Sequence, residues 1–150
     1  MEVYLSNQKT KTKENKIPLE KIIIAEDSLP NQKILQHLLM KMGYDVIACH
    51  NGHLAWTELN KPENKSTVLV ISDLMMPEMD GISFLKKVRE STDFAELPFV
   101  LVTAVSEKEQ IVQAKTLKVN GYILKPVSLQ KVQAKLKELF PNKVFPKISA

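Results

Sequence analysis

The sequence predicts a doubly wound α/β domain: five parallel strands in the order 2-1-3-4-5, with helices on both faces. Three observations predict it. Short apolar, β-branched runs alternate five times with helical patterns, the runs are unbroken as in strands buried on both faces, and the connections are short with no internal repeat. Such alternation pairs parallel strands through right-handed crossovers, and the order puts the topological switch between the first and third strands.

The first strand is KIIIA, residues 21–25, ending at the adjacent acids Glu26 and Asp27. After Ser28, Leu29 and Pro30, the residues Ile34, Leu35, Leu38, Leu39 and Met42 fall on one helical face, and Gly43 stops that helix. YDVIAC, residues 44–49, is the second strand, and Asn51-Gly52 is a turn signal before a short helix containing Leu54, Ala55 and Leu59. The third strand, TVLVIS at residues 67–72, leads into Asp73. Pro77, Asp80 and Gly81 then break the chain before a third helix over residues 82–90, with Ile82, Leu85 and Val88 on one face. FVLVT, residues 99–103, is the fourth strand, and Ser106 with Glu109 forms a capping box opening the fourth helix. GYIL, residues 121–124, is a short fifth strand running into Lys125-Pro126. Ser128 caps the last helix, whose Leu129, Val132, Leu136, Leu139 and Phe140 recur at three and four residues until Pro141.

These elements make one domain over residues 18–140, flanked by a basic N-terminal extension at 1–17 and a tail at 141–150. An apolar share of 44% with 25% charged residues is that of an ordinary soluble domain with a sizeable core. No apolar run approaches the ~20 residues that span a bilayer, and the N-terminus lacks a signal-peptide core, so a cytoplasmic protein is expected. The net charge of +4 is concentrated in the ends: residues 1–21 carry +2, residues 126–150 carry +4 and the middle carries −2. Aromatic residues do not interleave with the lysines as a base-stacking surface requires, which argues against nucleic acid. The single Cys49, in an apolar strand, reads as a buried hydrophobe, and His37, His50 and His53 read as surface residues without a third metal ligand.

Parallel strands all end on one side, so Glu26, Asp27, Asp73, Thr103 and Lys125 converge at one edge of the sheet. Asp73 has an alternative reading as a turn former or cap, a role that Asp80 already fills for the third helix. Three carboxylates in one pocket repel each other unless a cation is shared, and oxygen ligands from loops suit Mg²⁺. Lys125 adds a positive charge and Thr103 a hydroxyl donor, a set able to hold a phosphoryl group on several sides. Asp73, alone on the middle strand, is the natural nucleophile, and its attack on phosphorus gives an aspartyl phosphate.

The acidic pair Glu26-Asp27, the stretch DLMMPEMDG from Asp73, the VTA triplet ending at Ala104 and GYILKP from Gly121 to Pro126 together resemble the receiver domains of two-component response regulators, a flavodoxin-like fold. The likeness covers residues 21 to about 140. It implies that Asp73 takes phosphate from a phosphohistidine on a sensor histidine kinase or phosphotransfer protein, with Mg²⁺ held by Asp27, Asp73 and the main-chain carbonyl of Met75. Glu26, where the family usually has a second Asp, would act through a metal-bound water. The resemblance also makes Thr103, Lys125 and the Ala104 N–H the groups that bind the phosphoryl, and Thr103 with Tyr122 the switch. The switch would remodel the face of the fourth helix, fifth strand and fifth helix for a protein target or a second copy. It further implies a cis Lys125-Pro126 bond. Many receivers have a small residue and Gly near the end of the fourth helix, where Leu117, Lys118 and Val119 stand here; were Lys118 to adopt a left-handed backbone, it would forgo the ease that Gly gives, at a cost of about 1 kcal/mol. Only ten residues follow Phe140, so a stand-alone regulator in the manner of the chemotaxis regulators is expected, one that catalyses no reaction beyond its own phosphorylation and dephosphorylation.

Three other functions compete with this reading. A phosphatase of the aspartyl-phosphate class needs a second Asp two residues after the nucleophile, where Met75 stands. A flavin-binding module needs a Gly-rich loop after the first strand, where EDSLPNQ stands. The third alternative is a degenerate receiver that binds partners independently of phosphorylation. Met75 and Val105, two residues after Asp73 and Thr103, offer no polar side chain to orient an attacking water. The phosphorylated form is therefore expected to hydrolyse more slowly than that of relatives with polar residues there. Polar substitutions at Met75 and Val105 that leave the dephosphorylation rate unchanged would overturn this expectation.

Overall fold

The computed structural model describes residues 18–104 and 106–148; the expected extension at 1–17, and Val105, lie outside the described residues. Strands β1 (Lys21–Ala25), β2 (Asp45–Cys49), β3 (Thr67–Asp73), β4 (Phe99–Thr103) and β5 (Gly121–Leu124) form one parallel sheet in the order β2-β1-β3-β4-β5. The helices are α1 (Leu29–Lys41), α2 (Gly52–Leu59), α3 (Gly81–Glu90), α4 (Lys108–Thr116) and α5 (Leu129–Leu139), with a 3-10 turn at Pro62–Asn64. Among the described residues no helix is long and apolar enough to cross a membrane.

The unbroken apolar runs are buried on both sides, as the parallel reading requires. Alternate residues Ile23, Val70, Phe99 and Leu101 pack with Leu59 of α2, Phe84 and Val88 of α3 and Ala114 of α4. Their neighbours Ile22, Ile24, Ile71 and Val100 face Leu35 and Leu39 of α1 and Val132 and Leu136 of α5. Each such large side chain removed from water contributes about 1.5–3 kcal/mol.

Local chemistry starts the helices. Asp80 Oδ1 accepts from the Ser83 N–H at 2.8 Å, and Ser128 Oγ accepts from the Lys131 N–H at 3.3 Å. Asn51, read as a turn residue, is also a cap: its Oδ1 accepts from the Leu54 N–H at 2.8 Å. The expected Ser106–Glu109 capping box does not form. The Glu107 N–H donates to the Ala104 carbonyl at 3.2 Å, closing a turn that carries the chain past Ser106, and α4 starts at Lys108 without a side-chain cap. Two strand ends also shift: β2 starts at Asp45, after Tyr44, and β3 continues through Asp73.

Lys118 has φ +59°, in the left-handed region that a glycine would adopt more easily. Its carbonyl accepts from Arg89 Nη2 at 3.0 Å, and the same guanidinium donates to Leu117 O, Ala95 O, Leu97 O and Asn120 Oδ1. Asn120 Oδ1 also takes the Phe99 N–H at 2.8 Å, so one arginine and one asparagine tie the end of α4 to the start of β4.

Residues 141–148 fold back on the domain. Phe145 and Ile148 pack on the α1/α5 layer, and the Tyr44 and Phe145 rings lie 6.3 Å apart. Lys143 sits 4.2 Å over the Tyr44 ring and pairs with Glu20.

Replacing Lys118 by Gly should raise stability by about 0.5–1 kcal/mol, because the left-handed backbone costs a non-glycine residue about that much. Urea denaturation checks this, and an unchanged or lower midpoint would show that the extra freedom glycine gives the unfolded chain outweighs the relief of strain.

Candidate functional site

The sheet register assembles the strand-end residues. Ala25 lies opposite Ser72, which brings Glu26 level with Asp73; Thr103 lies opposite Leu124, which puts Lys125 just beyond it. Carboxylate oxygens of Glu26, Asp27 and Asp73 all lie within 4.8 Å of one another, with Glu26 and Asp73 buried and Asp27 exposed. The site residues read from the strand ends thus occupy one edge of the sheet.

Neighbouring backbone holds this edge rigidly. Gln32 on α1 is buried and its amide donates to the carbonyls of Glu26 (3.2 Å) and Cys49 (3.1 Å), locking the first turn of α1 to the ends of β1 and β2. The Leu74 N–H donates to Val102 O at 3.0 Å, and the Gly81 N–H to Leu74 O at 2.8 Å. A Cβ at Gly81 would collide with the Asp73 carbonyl, so glycine lets α3 start against the strand that carries Asp73.

The charges are unequally compensated. Lys125 Nζ lies 2.9 Å from Asp73 Oδ2, whereas buried Asp73 Oδ1 has no hydrogen-bond partner. Burial works against the Lys125 charge, but the bond to Asp73, with Glu26 and Glu107 nearby, holds its ammonium above the usual lysine range. Glu26 is pushed up to about 8, first by burial and then by Asp73 beside it, although its carboxylate accepts from the Ser28 N–H at 3.2 Å. A buried carboxylate cluster with an orphaned oxygen is short of positive charge. The residues therefore fit a hard divalent cation with oxygen ligands, of which Mg²⁺ is the natural choice.

The remaining expected residues lie on β4, on β5 and in the loops that follow β3, β4 and β5. Thr103 is buried at the end of β4, and its hydroxyl donates to the Ala104 carbonyl at 3.2 Å rather than to Asp73. The Ala104 N–H donates to Glu107 Oε2 at 3.1 Å. Tyr122 is half-buried, with its hydroxyl donating to Ile111 O of α4 at 3.2 Å. Met75 is exposed on the loop after β3, and the Lys125–Pro126 peptide is cis. His37, His50 and His53 are exposed, and burial pushes the Cys49 thiol up to about 12, which makes it inert as a nucleophile.

The response regulator receiver domain family matches residues 22–137 of this sequence. The chain belongs to that family. This receiver is 35% identical over 117 residues to the chemotaxis protein CheY1 of Helicobacter pylori, a match covering 77% of this chain and 93% of that protein. It is 32% identical over 120 residues to the CheY homolog of Campylobacter jejuni, covering 79% and 91%. Among solved structures, the chemotaxis response regulator CheY4 of Vibrio cholerae matches with a TM-score of 0.73 at 25% identity, covering 81% of this chain and 98% of that one. A putative response regulator from Chloroflexus aurantiacus shares the fold, with a TM-score of 0.75 over 84% of this chain and 100% of that one, at 23% identity. The receiver is thus of the kind found in CheY-like chemotaxis regulators, and receivers bind Mg²⁺ through an acidic cluster of this sort.

Sequence reasoning missed Gln32 and Glu107. Gln32 falls at a polar position in the apolar pattern of α1, a weak signal visible only once the strand ends are known to lie above it. Glu107 carries no local signal, because the neighbouring Ser106–Glu109 pair reads as a simpler cap.

In a chelator, the receiver should lose stability as pH rises from about 5 to 8. Folded Glu26 keeps its proton to about 8 while the unfolded chain releases it near 4.5, so the folded state binds more protons across this window and is disfavoured as they leave. Glu26→Gln should flatten the dependence, and added Mg²⁺ should stabilise the wild type increasingly towards pH 8. Urea midpoints at three pH values check this; parallel profiles for the two proteins would contradict it.

Proposed function

We propose that this receiver accepts a phosphoryl group on Asp73 from a phosphohistidine of a sensor kinase or phosphotransfer protein, in a Mg²⁺-dependent reaction, and passes the signal to a protein partner. The observation that supports this best is the state of Asp73: one oxygen is paired with Lys125, while the other is buried, unbonded and beside two further carboxylates. A side chain serving only as a cap or turn former would spend that oxygen on a backbone N–H.

In this reading an Asp73 oxygen attacks phosphorus as the P–N bond to the donor imidazole breaks, and the imidazole nitrogen keeps the electron pair. Asp27, Asp73 and the Met75 carbonyl hold Mg²⁺, with Glu26 completing the acidic set. The bound ion offsets the charge of the carboxylates and of the incoming phosphoryl oxygens. Lys125, already within reach of Asp73, binds one phosphoryl oxygen. The Thr103 hydroxyl and the Ala104 N–H bind the others after leaving their present partners. Movement of Thr103 opens space that Tyr122 takes on releasing Ile111 O, so the change reaches α4.

The partner then reads the face formed by α4, β5 and α5, where Val112 and Leu124 are exposed. A second copy of the chain is an alternative occupant of that face. The receiver turns over no separate substrate, and it works in the cytoplasm.

Incubation with Mg²⁺ and acetyl phosphate should add one phosphoryl group by intact mass, and Asp73→Ala or a chelator should abolish the gain. No gain with acetyl phosphate or with a panel of phosphorylated histidine kinases would overturn the phosphoacceptor reading in favour of a phosphorylation-independent binding module.

A further inference from the structure

The turn between β4 and α4 holds a fourth carboxylate at the site. Glu107 Oε2 accepts from the Ala104 N–H at 3.1 Å, and the Glu107 N–H donates to Ala104 O at 3.2 Å, so the turn is closed at both ends. The same carboxylate is near enough to Lys125 to act on its charge. A charge-assisted bond from a backbone N–H to a carboxylate is among the stronger ones available to a side chain, and a single N–H cannot serve a second anion fully at the same time.

We infer that Glu107 is a built-in competitor for the phosphoryl position, occupying the Ala104 N–H in the unmodified protein and leaving when the phosphoryl group arrives. The inference rests on the proposed phosphorylation of Asp73. A phosphoryl group bound to Lys125 and Ala104 carries about two negative charges, so it displaces the single charge of Glu107 by competition for the N–H and by repulsion. Glu107 immediately precedes Lys108, the first residue of α4, so its departure releases one of the two bonds that close the turn ahead of α4. Ile111, whose carbonyl holds the Tyr122 hydroxyl, lies one helical turn further on. Glu107 therefore sets a threshold: part of the binding free energy of the phosphoryl group is spent on expelling it, and that part is coupled to the start of α4.

The test uses beryllofluoride, a non-covalent stand-in for the phosphoryl group, at saturating Mg²⁺ on the full chain. Glu107→Ala, which leaves no acceptor, should bind beryllofluoride about three- to tenfold tighter than wild type, and Glu107→Gln, a neutral acceptor, should fall between them. Before any beryllofluoride is added, the Ala104 amide proton resonance should move upfield in Glu107→Ala, as the charge-assisted bond is lost. Wild-type affinity in both variants, or an unmoved Ala104 resonance, would overturn the inference while leaving Asp73 chemistry intact. Failure of the wild type itself to bind beryllofluoride would instead bring down the phosphoacceptor reading, and this inference with it.

Discussion

The crowding of negative charge at one edge of the sheet is the constraint on which the rest of the structure depends. Parallel strands that end in register deliver Glu26 and Asp73 side by side out of water, with Asp27 at the rim. Desolvation and repulsion from Asp73 both oppose ionisation of Glu26, and one lysine paired to one oxygen of Asp73 is the main local relief among the described residues. An apolar core on both sheet faces keeps these groups together, because a strand that slipped by one residue would send every side chain into the opposite helix layer, which is packed for others. Stability spent in this way leaves a carboxylate cluster suited to a hard divalent cation.

That crowding explains the division of labour among neighbouring residues. Gln32 and Gly81 act on backbone: one fastens the ends of β1 and β2 beneath α1, and the other lets α3 approach the Asp73 carbonyl. Arg89 and Asn120 do the same at the opposite end of the sheet, where five bonds from one guanidinium hold the left-handed Lys118 and the start of β4 in place. These bonds fix the backbone at both ends of the sheet around a centre crowded with charge.

Much of this was legible in the chain itself. Five apolar runs of strand length, three of them followed directly by acids or a lysine and a fourth ending in Thr103, predict both the sheet and the edge where chemistry gathers, because strand direction alone brings those positions together. Asp80 and Ser128 are readable as caps from their immediate neighbours. What escaped depends on contacts between residues far apart in sequence or on competition between equally local choices. Arg89 reaches Asn120 across 31 positions, and no local pattern announces that. At Ser106 two short-range bonding schemes were available, and the one that closes the Ala104–Glu107 turn is the one formed.

The segment after α5 has a practical consequence. Family similarity ends at residue 137, yet Phe145 and Ile148 lie on the core and Lys143 bridges the Tyr44 ring and Glu20. An expression fragment trimmed to the homologous boundary would uncover an aromatic side chain that is now buried and strip an acidic residue of its counter-ion. Such a fragment would invite self-association by a surface that the longer chain keeps dry, and oligomers seen in it would report the trimming rather than the signalling state.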